Sequence, residues 1–231
     1  MTLTTVALSC AKQLGRVNAA GTDITDLEAE IKEQIQETIR FYNRKPYHLT
    51  EFRGFTLDTA ASTVWYSSVD LTSGDGDQSN TSRTAVDTNQ ILNITYSREN
   101  PGSSGLNEPL DRIPYAKFER LREGSTPQGT PTYYTYYAGQ IGIWPTPDGV
   151  YELYFSGHVK PVVPTNDSDT SVWFDEANEM IEAGALKRVC LKYLRDKERA
   201  ADFGIIEDGA ARAMAREHLL KSSTGKLKVH D

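Results

Sequence analysis

Apolar residues recur every three or four positions in the opening and closing parts of the chain, and every second position in much of the stretch between Pro46 and Pro164. The first period belongs to helices with one buried face, the second to strands. A first helix is predicted from about Thr4 to Leu14, stopped by Gly15 as a C′ glycine. In a second, Ile24, Leu27, Ile31, Ile35, Ile39 and Tyr42 form one stripe, with Asp23 or Thr25 as N-cap and Pro46 as terminator. A third, capped by Asp169 or Ser171, opens at Val172-Trp173-Phe174 and ends near Tyr193-Leu194-Arg195-Asp196, with a broader apolar face. A fourth, Ala-rich, is predicted from about Glu207 to Lys221, with Met214, Leu219 and Leu220 as its larger contacts. Helices with single stripes must cover one another, which predicts a bundle of about four.

Between the helical parts, Thr132 to Tyr137 is a β-branched and aromatic run, Gly139 breaks it, and Gln140 to Trp144 alternates Ile141 and Ile143 with small or polar neighbours. Pro145 and Pro147 end that strand, and Asp148-Gly149 reads as a positive-φ turn into a third, Val150 to Val159, giving a meander. Glu51 to Leu57, Thr63 to Val69 and Gln90 to Tyr96 read as further strands, with Phe52, Phe55, Val64, Tyr66, Ile91 and Ile94 as inward candidates. The fold class expected is α+β: a helical bundle with an inserted antiparallel β-domain, a small sandwich or open barrel, and a flexible C-terminal tail. The boundaries expected are 1–46 for an N-terminal helical hairpin, 47–164 for the β-domain with an acidic loop at 70–89, 165–220 for the remaining helices and 221–231 for the tail.

Charge sharpens this picture. The chain of 231 residues carries 32 acidic and 25 basic side chains, a net of −7, which argues against a general nucleic-acid binder. Residues 58–111 hold eight acids against Arg83 and Arg98, whereas residues 186–228 hold eleven bases against six acids. Opposite ends can therefore favour different partners, or subunits can pair head to side. Cys10 and Cys190 imply no disulfide framework. The N-terminus lacks the basic region and long apolar run of a signal peptide, and no segment reaches the ~18 apolar residues of a membrane span, so the expectation is a protein made inside the cell. The sequons at Asn80, Asn93 and Asn166 then read as chance matches.

Few residues suggest chemistry. Asp75, Asp77 and Ser79 begin like a calcium loop, but Asn80 and Val86 stand where such a loop wants Gly and Glu. His48, His158, His218 and His230 are scattered without metal-ligand spacing. Tyr133, Tyr134, Tyr136, Tyr137, Trp144, Tyr151 and Tyr154 offer a stacking platform for sugar or base, although alternation leaves only about half of them on one face. Glu119, Glu123, Glu179 and Glu182 read as solvated helix faces rather than acid–base pairs. Neither an enzyme nor a cofactor is expected.

The order of elements carries a resemblance. A G-x-P-x-Y-Y start at Gly129, the turn Ile143-Trp144-Pro145-Thr146-Pro147-Asp148-Gly149 and the Y-x-L-x-F strand at Tyr151 follow Asp111-Arg112-Ile113-Pro114-Tyr115 and Phe118-Glu119-Arg120-Leu121. With the helix opening at Val172-Trp173-Phe174, this resembles the head-to-tail adaptor, or connector, proteins of short-tailed phages, best from about Thr126 to Arg199. Residues from Ser67 to Leu110 read as an insertion. The resemblance implies a virion structural protein forming a dodecameric ring beneath the portal, with a helical bundle carrying a β-rich domain. It implies the portal protein on one side, a tail nozzle or tail tube protein on the other, DNA only by passage through the channel, and no membrane. The location implied is the virion neck, reached by assembly in the host cytoplasm. Carried onto this chain, the portal-docking tail is Lys221 to Asp231, with Lys221, Ser222, Lys226, Leu227, Lys228, Val229 and His230 as contacts. The alternatives are a connector of a long-tailed phage and, on the aromatic strands, a sugar-binding β-module.

Overall fold

The computed structural model describes residues 1–67, 71–73, 91–99, 109–124 and 127–222. Its helices are α1 (Leu3–Leu14), α2 (Glu28–Tyr42), α3 (Tyr115–Gly124), α4 (Val172–Glu176), α5 (Asn178–Val189) and α6 (Lys197–Ser222). Its strands are β1 (Glu51–Asp58), β2 (Trp65–Tyr66), β3 (Leu71–Ser73), β4 (Ile91–Glu99), β5 (Asp111–Arg112), β6 (Tyr133–Tyr137), β7 (Gln140–Trp144) and β8 (Glu152–Val159). The fold is α+β. The chain divides into a helical unit, residues 1–50 and 161–231, and a β unit, residues 51–160.

In the helical unit, α1 is capped by Thr2, whose hydroxyl accepts from the Thr5 N–H, and ends at Gly15 in the left-handed region. Leu3, Val6, Ala7, Cys10, Ala11 and Leu14 bury its inner face. From α2 come Ile31, Ile35, Ile39 and Tyr42, all in the same core as Trp173, Phe174, Met180, Ile181, Leu186 and Val189. Each large aliphatic side chain buried this way contributes about 1.5–3 kcal/mol. Trp173, fully buried, donates its indole N–H to Asn43 Oδ1 at 2.7 Å, and Asn43 Nδ2 donates to the Pro161 carbonyl at 2.9 Å. A buried indole thus keeps its hydrogen bond.

The β unit stacks two four-stranded sheets, β3-β1-β8-β4 and β2-β7-β6-β5, over one core. Pairing is antiparallel except between β5 and β6. Alternation sorts the side chains: Ile141 and Ile143 of β7 and Tyr134 of β6 enter the shared core with Leu57, Leu153 and Phe155. Trp144 and Tyr133 point to the opposite face, which α3 covers with Phe118. A Cβ on Gly142 would lie 2.8 Å from Phe118 Cζ and from Trp65 Cζ3, so a side chain there would push α3 off the sheet.

Several expectations are corrected. The three-strand meander holds only for β6 and β7, joined by Ala138 and Gly139 with φ of 51° and 76°; β8 leaves for the other sheet, between β1 and β4. Gly149 does not take a positive φ. Instead Thr59 holds the crossing segment, its hydroxyl donating to the Gly149 carbonyl at 3.0 Å and accepting from the Tyr151 N–H at 2.8 Å. The third helix is not continuous: Ala177, at φ −138°, separates α4 from α5, and Ser171 rather than Asp169 caps its start. Neither Asp23 nor Thr25 caps α2, because Asp23 accepts from Asn18 and Thr22 in the preceding loop. The last helix begins at Lys197, ten residues before the expected Glu207, since Asp196 caps it by accepting from the Arg199 N–H at 3.0 Å. Of the inward strand candidates, Phe55, Tyr66 and Ile94 are buried in the β core, and Val64 is partly buried against the α3 face. The side chains of Phe52 and Ile91 lie outside the described residues, as do residues 70 and 74–89 of the expected acidic loop, but residues 71–73 form β3 rather than loop.

Ile35 is fully buried between helices. Ile35→Asp is expected to unfold the helical unit, because an unpaired buried charge costs several kcal/mol against a total stability of about 5–15 kcal/mol. Circular dichroism and urea titration of the variant check this.

Candidate functional site

The segment expected to dock on a partner, residues 221–231, begins in the last turn of α6, so the contacts that hold α6 in place bear on where that segment starts. This helix of 26 residues, about 39 Å long at 1.5 Å per residue, touches the bundle along one narrow stripe. Ala200, Glu207 and Met214 are buried on that stripe, and Phe203, Ala210 and Ala211 are partly buried against the same core.

Glu207 sits at its middle. The Oε1 atom accepts from the Tyr42 hydroxyl of α2 at 2.8 Å, and Oε2 accepts from Lys187 Nζ of α5 at 2.9 Å. Such a buried carboxylate is tolerable because both oxygens are satisfied, one of them by a cation. Close approach is possible because α5 carries Gly184 at this point: a Cβ there would lie 2.7 Å from Thr38 Cγ2 and 2.9 Å from Glu207 Oε1. Three helices therefore share one junction, with α6 fixed in both height and rotation. Burial, followed by the neighbouring carboxylate, pushes the Tyr42 phenol well above its ordinary pKa.

Beyond the junction, Glu217 Oε1 lies 3.7 Å from His48 Nε2 in the turn after α2, a contact that is an ion pair only when the imidazole is protonated. Lys221 and Ser222 are the last residues of α6. Lys226, Leu227, Lys228, Val229 and His230 lie outside the described residues. Sequence reasoning missed Glu207 by placing it at a helix N-terminus. Extending the helix back to Lys197 puts it in register with Phe203, Ala211 and Met214, the signal that would have revealed a buried carboxylate.

The other candidates do not converge. Glu119 pairs with Arg122 at 3.0 Å, while Glu182, buried in the helical unit, accepts from Gln13 at 3.0 Å and Asn178 at 2.8 Å. Glu123 and Glu179 are not brought into either arrangement. Asp75, Asp77 and Ser79 lie outside the described residues, among which no group of three or more His, Cys, Asp or Glu is disposed to hold a metal ion. The rings also part company. Tyr134 and Trp144 are buried on opposite faces of their sheet, and Tyr137 is exposed at the hairpin end, stacked on Tyr115 with centroids 3.9 Å apart. Among the described residues, no helix is long and apolar enough to cross a membrane.

Residues 1–225 match a protein-family model, that of the SU10 adaptor protein. No curated protein matches the chain.

The Tyr42–Glu207 contact has a pH signature. A phenol whose folded pKa is raised contributes stability that is complete below its ordinary value of 10.0 and is lost as pH rises beyond it. Tyr42→Phe is expected to lower stability at pH 7 by about 1–3 kcal/mol and to lose less than the parent between about pH 9 and 11. Urea titrations across that range check both parts; an equally steep alkaline loss in the variant contradicts the assignment.

Proposed function

The chain belongs to the SU10 adaptor protein family, and from that premise we propose that it is the head-to-tail adaptor of a short-tailed phage. In this reading twelve copies form a ring beneath the portal, joining head to tail and prolonging the DNA channel. The portal protein binds one side and a tail nozzle or tail tube protein the other. The protein sits at the virion neck after assembly in the host cytoplasm.

The observation that carries the reading is the family match across residues 1–225, which spans both units. This is a family of phage adaptors, not of enzymes. The docking role of residues 221–231 draws support from the way α6 is held. Asp196 at its start and the Glu207 junction at its middle fix the helix that leads into the docking segment. A fixed base lets every copy present its Lys226, Leu227, Lys228 and Val229 at the same place on a neighbouring ring. Contacts weak in one copy then multiply through avidity.

Assembly of the ring is template-driven in this reading, since a net charge of −7 on each chain opposes gathering twelve free copies. Removing residues 223–231 leaves every described residue of α6 in place. The truncated protein is expected to keep its circular dichroism spectrum and thermal midpoint while losing most of its co-sedimentation with portal rings. Binding of the intact chain is expected to weaken with salt where lysines carry the contact, and to hold where Leu227 and Val229 do. Undiminished portal binding by the folded, truncated protein would place docking elsewhere.

A further inference from the structure

The side of α6 opposite Glu207 faces away from the bundle. At 3.6 residues per turn that side carries Glu198, Asp202, Ile205, Gly209, Arg212 and Arg216, all exposed, Ile205 to 73%. Their spacing of four, three, four, three and four is the seam spacing of paired helices. The ion pairs that α6 makes among the described residues, Glu207 with Lys187 and Arg199 with Asp196, involve other positions, as does the approach of Glu217 to His48. Gly209 adds an independent point. A Cβ at this position would meet nothing within 4 Å, so the described fold has no need of a residue that weakens a helix interior relative to alanine.

The charges on this seam change sign about Gly209. Glu198 and Asp202 precede it and Arg212 and Arg216 follow, with Asp202 and Arg216 each seven residues away. A second copy of the same face, laid antiparallel about Gly209, sets Asp202 against Arg216 twice. It also packs Ile205 along the aliphatic stem of Arg212 and brings two glycines together where the backbones come closest. A parallel pair would oppose like charges.

We propose that in the free protein two copies pair through this face of α6 as an antiparallel, two-fold dimer centred on Gly209. An isologous contact closes on itself, so the dimer is distinct from the ring and does not depend on the adaptor reading. The acidic start and basic end also suit the helix dipole, but the two explanations part under charge reversal: reversed charges oppose the dipole and restore the pair.

Sedimentation equilibrium of the full chain from about 5 to about 500 µM suits a contact of the small, transient class. A monomer–dimer equilibrium is expected at low salt. Asp202→Arg and Arg216→Asp should each raise the dissociation constant at least about tenfold, and the two together should return it to within about threefold of the parent. Gly209→Cys should give a covalent dimer under mild oxidation, since Cys10 and Cys190 are buried. Circular dichroism confirms the fold of each variant. A parent that stays monomeric at the highest concentration, single reversals without effect, a double reversal no tighter than the singles, or no cross-link from Gly209→Cys overturns the proposal. None of these results touches portal binding, which is measured separately.

Discussion

The helical unit depends on the approach of α2, α5 and α6 to one another at Gly184. There is no room for a side chain at that point, because Thr38 and Glu207 already occupy the space a Cβ would need. Closeness has a further consequence. It carries the Glu207 carboxylate out of water, where only the Tyr42 hydroxyl and the Lys187 ammonium make its burial tolerable. An apolar stripe alone would let α6 slide or turn along the bundle with modest loss. A satisfied carboxylate does not, since any other register leaves it unpaired.

A different constraint shapes the β unit. Its two sheets share one core, but the second sheet is buried on both faces, by that core on one side and by α3 on the other. Gly142 allows the second contact by letting Phe118 and Trp65 lie against the strand. The rings that crowd β6 and β7 are consequently divided between two interiors rather than gathered on one surface. Their abundance reflects packing on both sides of a thin sheet.

Function in this family rests on surfaces, and α6 shows how a bundle makes one available. Only the stripe from Ala200 to Met214 is committed to the core, while most of the circumference stays in contact with solvent. A helix so held is fixed along one side and keeps a long exposed face on the other. Positional precision at the junction and freedom at the surface are two results of the same narrow contact.

From the pattern of the chain alone follow the α+β class, the glycine stop of α1, the strands β6 and β7 and the stripe of α2. Each rests on local signals: a left-handed glycine, a proline, a period of 3.6 or 2. The order of elements around Gly129 to Phe155 was enough to suggest a phage adaptor. Packing over long range sends β8 to the other sheet, because strand pairing depends on Thr59 and β1, distant in sequence. It also breaks the third helix at Ala177, where packing of Trp173 and Phe174 overrides a continuous pattern. Glu207 is the clearest case. A carboxylate is a poor core residue in any local reading, and its burial becomes favourable only when Tyr42, 165 positions away in the chain, and Lys187 are brought to it.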